Sequence, residues 1–156
     1  MKLLFKQRIF SWLDSYEIYD ENQNIVYTVQ GKMAWGHRLV IYDRHNEQIA
    51  EIKEEVFSFL PRFKLFVQNR EIGMIEGEWS FLKPKYHLTC NDWHVDGDIW
   101  QWEYDVIDSK GCIMHASKQV WHFSDTYVLD IFKDENALYC LMIVLAIDAA
   151  KCSRDN

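Results

Sequence analysis

Arg38, Arg62, Lys64, Lys83 and Lys85 each stand inside, or one step past, a short turn that follows an aromatic or apolar pair. Cations placed in this way could bind phosphate, Arg through a two-pronged contact and Lys as a point charge. Leu60 and Leu82 sit at two of the same turn tips, where an apolar side chain could enter a lipid headgroup region. These residues together predict recognition of an anionic phospholipid headgroup. Asp14, Glu103 and Asp125 share that end and oppose the attraction.

Other chemistry is thinner. Asp92, His94, Asp96 and Asp98 fall at spacing two, so a strand carries all four on one face, with Trp93, Val95 and Ile99 opposite. Such oxygens could hold a hard metal ion, but the spacing equally describes the solvent face of a half-buried strand, and no metal is expected. His37, His45, His87, His115 and His122 form no HExxH or His-x-His array. No GxSxG, GxGxxG or phosphate-binding loop is present. The chain is therefore expected to be non-enzymatic and to need no cofactor.

The turns that carry the cations belong to a repeat. Pairs such as Phe10-Ser11-Trp12, Ala34-Trp35, Phe57-Ser58-Phe59, Trp79-Ser80-Phe81, Ile99-Trp100 and Trp121-His122-Phe123 each lead into a turn. The chain then returns with Tyr16, Leu39, Phe63, Tyr86, Tyr104 and Tyr127, and apolar residues alternate onward from each. A near-constant period of this size marks a repeated structural unit. Ile25, Tyr27, Val29, Met33 and Trp35 alternate with Thr28, Gln30 and Lys32, as a half-buried strand should. Ile75, Trp79 and Phe81 alternate in the same way, and the repeated aromatics are expected to face a core. Gly31 and Gly77 lie on those inward faces, where interior glycine marks a close approach.

The far ends of the strands are polar turns around Asp20–Asn24, Asp43–Glu47, Gln68–Arg70 and Asp108–Gly111. Two strands per repeat make about twelve antiparallel strands, and closing them into a barrel removes both edges. Residues 137–147 are then an unbroken apolar run after Asp134-Glu135. At about 1.5 Å per residue this is a helix of roughly 16 Å, about half a bilayer's hydrocarbon core, so no transmembrane segment is expected. A helix apolar all round must be surrounded by protein. The predicted fold is thus mostly β: a closed antiparallel barrel enclosing one C-terminal hydrophobic helix, a single unit over 1–156 with strands about 4–132 and the helix about 134–150.

The chain has 156 residues, with 17 Lys and Arg against 24 Asp and Glu, a formal net charge of −7. That field disfavours nucleic acid. Cys90, Cys112, Cys140 and Cys152 show no paired spacing, and Met1–Lys6 is short of a signal-peptide core. Free thiols and a cytoplasmic, peripherally membrane-associated location are expected.

The aromatic turns followed by Tyr-x-Ile-x-Asp, and the closing Tyr127-Val128-Leu129-Asp130 with Leu141–Asp148, resemble the LURP-one-related family. The opening residues 1–8 resemble its short bacterial members. That family is grouped with the tubby C-terminal domains and phospholipid scramblases. The resemblance covers essentially the whole chain and implies a twelve-stranded barrel around a C-terminal helix. Tubby domains bind phosphoinositides and scramblases are linked to lipid and calcium, so the resemblance implies a binding or scaffold role without defined catalytic residues. The scramblase calcium segment would fall near residues 125–134, where Asp125, Asp130 and Asp134 supply the carboxylates. Two rival readings stand beside lipid binding. One is a protein-interaction module using the Asp43–Glu47 turn, the other a small-ligand carrier with a cavity beside the helix.

Overall fold

A computed structural model describes residues 1–5, 15–78, 80, 83–121 and 124–154. Its strands are β1 (Lys2–Phe5), β2 (Ser15–Tyr19), β3 (Ile25–Lys32), β4 (Arg38–Asp43), β5 (Gln48–Glu54) and β6 (Arg62–Val67). They continue with β7 (Arg70–Glu78), β8 (Lys85–Leu88), β9 (His94–Asp98), β10 (Glu103–Asp108), β11 (Gly111–Trp121) and β12 (Ser124–Ile131). A 3-10 turn, Asp134–Asn136, leads into the helix α1, Ala137–Arg154. Each strand pairs antiparallel with its sequence neighbours, and β1 pairs with β12, from Lys2 opposite Asp130 to Phe5 opposite Tyr127. The sheet is a closed barrel, as the repeat predicts.

Alternation explains which residues line the lumen. Leu39 and Ile41, Ala50 and Ile52, Phe63 and Leu65, Tyr86 and Leu88, Tyr104 and Val106, and Tyr127 and Leu129 are all buried. They meet α1, whose residues from Cys140 to Ile147 are at most 2% exposed. Each large apolar side chain so enclosed contributes on the order of 1.5–3 kcal/mol relative to exposure. At the end where α1 begins, the turns are made by acidic side chains. Asp20 accepts from the N–H groups of Asn22 and Asn24, Asp43 from His45 and Glu47, and Asp108 from Lys110 and Gly111. Gln68 and Asn69, at φ of 49° and 62°, close the β6–β7 hairpin with the backbone twist such hairpins favour.

Several expectations need correction. The strands run from Lys2 to Ile131, and α1 extends to Arg154. At 18 residues, the helix is about 27 Å long. Residues Asp134–Ser153 are long and apolar enough, by length and composition alone, to cross a membrane, but 72% of that stretch is buried inside the barrel. Enclosure, not shortness, makes it a core helix. Met33 and Trp35 do not continue the inward face of β3: the strand stops at Lys32, and they are 84% and 87% exposed on the following turn. Phe57 and Phe59, expected in the core, are 97% and 85% exposed. A bulge between Ile18 and Tyr19 moves Ile25 out of the inward series and leaves it exposed. Phe10, Trp12, Trp79, Phe81, His122 and Phe123 lie outside the described residues.

Candidate functional site

The helix enters the barrel beside the Asp20, Asp43 and Asp108 turns and ends at the opposite mouth. That second mouth carries the β3–β4 turn (residues 33–37), the β5–β6 turn (55–61) and the β9–β10 turn (99–102). Asp98 organises the last of these by accepting from the N–H groups of Trp100 and Gln101. Trp102 follows with φ +56 and turns its buried ring inward, 4.4 Å from Tyr127 and with the Lys151 ammonium 4.9 Å above it.

A second contact fastens the helix end. His37 is 6% exposed; its N–H donates to Glu54 Oε2 at 2.9 Å, and its Nδ1 lies 2.6 Å from the same oxygen. Ser153 Oγ lies 3.3 Å from His37 Nδ1 and 3.3 Å from Glu54 Oε1. Burial alone would raise the Glu54 carboxyl, but the His37 hydrogen bonds and charge outweigh it and hold the group below its ordinary value. The trio is not a nucleophilic relay. Carboxylate and hydroxyl address the same ring nitrogen, whereas a relay needs them on opposite nitrogens.

The outer wall under this mouth carries an unusual row. Lys32 stands opposite Arg38, Arg38 opposite Lys53, and Lys53 opposite Lys64, so adjacent strands β3 to β6 present four cations side by side. At about 4.8 Å between strands the row is roughly 14 Å long. Three carboxylates, Glu51, Glu55 and Glu71, answer it. Glu51 is bonded by Arg38 Nε and lies 3.5 Å from Lys53, and Glu55 is 3.0 Å from Lys64. The hydrogen bond and charge of Glu55, with the charge of Glu71, raise the Lys64 pKa. Like charges directly opposite one another across strands are destabilising.

Of the five cations expected at this end, Arg38 and Lys64 belong to this row. Arg62 lies in the next outward row, bonded to Glu76 at 2.7 Å, where Glu76 also meets His87. Lys83, 3.9 Å from Asp98, and Lys85, opposite Glu78, line a separate dent of about 100 Å³ with Pro84, Val95, Asp96 and Gly97. The five therefore share an end of the barrel without forming one patch. Leu60 is half-buried in the β5–β6 turn, and Leu82 lies outside the described residues. Apolar surface at this mouth is supplied instead by Met33, Trp35, Phe57 and Phe59.

Lys32 and Lys53 were not among the sequence candidates, because the row exists only once strand register is known. The metal candidates divide among other tasks. Asp92, His94 and Asp96 are exposed while Trp93 and Val95 are buried, and Asp92 accepts from the Ser109 N–H. Asp125, Asp130 and Asp134 pair separately with Lys118, Lys2 and the Met1 amino group. Among the described residues, no group of three His, Cys, Asp or Glu side chains could hold a metal ion.

Comparison with known proteins agrees with this architecture. The chain is 28% identical over 149 residues to the uncharacterized protein YxjI of Bacillus subtilis (strain 168), covering 95% of this chain and 92% of that protein. It also shares its fold with a protein of Arabidopsis thaliana solved by X-ray crystallography. That likeness has a TM-score of 0.61 at 14% identity and covers 94% of this chain and 90% of the plant chain. Residues 1–148 match the LURP-one-related family, and the chain belongs to it.

Proposed function

We propose that this is a non-enzymatic binding protein that docks peripherally on an anionic, phosphate-bearing membrane surface through the β3–β6 side of its open mouth. The observation that carries the reading is the register row Lys32–Arg38–Lys53–Lys64. Four cations stand side by side against three carboxylates, Glu51, Glu55 and Glu71, so the row keeps an excess of positive charge. A surface of phosphates complements that excess. Arg62, Lys83 and Lys85 flank the row and add attraction around it.

Magnitudes favour a weak, contact-range interaction. Each Lys or Arg beside an anionic leaflet contributes about 1 kcal/mol. The net charge of −7 opposes approach, but screening over roughly 8–10 Å leaves the local row to decide at contact. A cytoplasmic face of a membrane, where anionic lipid is concentrated, fits this sign of charge.

Co-sedimentation with vesicles tests the reading. The protein should pellet with phosphatidylcholine vesicles containing phosphatidylserine at low salt, and should be released by high salt or by using pure phosphatidylcholine. The combined variant Lys32→Gln, Lys53→Gln, Lys64→Gln, which keeps Arg38 on the buried Glu51, should remain in the supernatant while melting like the parent. Equal recovery in the supernatant with and without anionic lipid would remove the proposal.

A further inference from the structure

We infer that the β3–β4 and β5–β6 turns form one preassembled apolar wedge that enters the headgroup–acyl boundary when the cationic row docks. The inference rests on the membrane reading above and adds penetration to it. Met33 and Trp35 on the first turn and Phe57 and Phe59 on the second are each more than four-fifths exposed. Polar residues could have occupied positions 33, 35 and 57 at no loss to the core, since Met33, Trp35 and Phe57 do not fill it.

The two turns are held as a unit. Gly36, at φ +84, lies so close to Val56 that a Cβ added there would stand 2.4 Å from Val56 Cγ1. The hydrogen bond from Glu54 N–H to His37 O, at 2.8 Å, ties the bases of the same turns. The Gly77 N–H donates to Pro61 O at 2.8 Å and anchors the second turn to β7. A wedge fixed before contact loses little conformational freedom on insertion.

The occupant follows from shape and charge. The apolar side chains stand on turn tips, a convex edge, and the cationic row begins at the residue next to Met33. Apolar tips above a cationic belt match the layering of a bilayer, acyl chains within and phosphates at the boundary. A second copy docked tip to tip would bring two cationic rows together, which Coulomb repulsion opposes. Insertion also fixes the pose: the mouth where α1 ends faces the bilayer, and the Asp20, Asp43 and Asp108 turns face away.

Vesicles of phosphatidylcholine and phosphatidylserine with brominated acyl chains give the test, because bromine quenches tryptophan only on close approach. Wild-type emission should fall on binding, and Trp35→Phe should remove most of the quenching while still pelleting with the vesicles. Phe57→Ala should weaken binding about tenfold, the scale of burying one large apolar side chain, without changing the melting temperature. Salt-sensitive pelleting with no quenching, or quenching indifferent to Trp35→Phe, would overturn the wedge and leave the docking reading intact. No binding to anionic vesicles would sink both. Lipid-free self-association abolished by Phe57→Ala would assign the tips to a second copy and overturn the inference.

Discussion

Gly36 and Val56 meet across two neighbouring turns so closely that only a residue without a side chain fits at position 36. The left-handed backbone at φ +84 imposes the same choice independently. Gly36→Ala should therefore destabilise the protein by about 1–3 kcal/mol. For a chain of this size, each kcal/mol lowers the melting temperature by roughly 2–4 °C. It should also loosen the paired turns. An unchanged melt would contradict the contact.

Glu54 gives the fold an acid limit. Its carboxyl is held below the ordinary value of 4.5, His37 outweighing the opposing effect of burial. A depressed native carboxylate contributes stability that is complete above its unfolded value and is lost as pH falls through the native one. Melting temperatures of the wild type and Glu54→Gln should thus differ above about pH 4.5 and converge on acidification below it. Parallel curves across that range would show that the His37–Glu54–Ser153 contact does not couple folding to protons.

Lys53 should separate binding from folding. It faces Arg38 and Lys64 across the strands, yet also meets Glu51 at 3.5 Å and stands 5.0 Å over the Phe66 ring. Repulsion and attraction largely cancel, so Lys53→Gln should change stability by less than about 0.5 kcal/mol. Binding to anionic vesicles should fall about fivefold, the equivalent of about 1 kcal/mol. A large loss of stability with unchanged vesicle binding would reverse the assignment.

Much of this architecture is legible from the residues alone. Leu39, Phe63, Tyr86, Tyr104 and Tyr127 alternate with polar neighbours because each points at the helix, and an enclosed helix has to be apolar all round. The working end is harder to read. Period-two alternation names the face of Met33 and Trp35 but does not say that the strand stops at Lys32, and that stop turns two core candidates into exposed tips. The cationic row is hidden for a related reason. Arg38 meets Lys53, and Lys53 meets Lys64, only through the hairpin register, and a bulge between Ile41 and Tyr42 shifts the β4–β5 pairing. No residue type announces such a bulge.

Tyr104 offers a test of the lumen beside the helix. Its hydroxyl is buried without a hydrogen-bond partner among the described residues, and burial, then the charge of Asp148, raises its pKa well above the usual 10. A buried polar group without a partner costs roughly 1–3 kcal/mol. Tyr104→Phe should therefore leave the melting temperature unchanged or raise it, whereas Tyr104→Ala should cost about 3–5 kcal/mol through the cavity it leaves. Strong destabilisation by Tyr104→Phe would reveal a ligand or water network held by that hydroxyl.

The most direct measurement is amide hydrogen exchange of the whole chain with and without vesicles containing anionic lipid. Added protection should concentrate in the turns at 33–37 and 55–61, fade around the barrel wall, and be absent from the Asp20, Asp43 and Asp108 turns at the far end. Protection centred on those far turns, or an exchange pattern unchanged by lipid, would contradict the membrane-facing mouth.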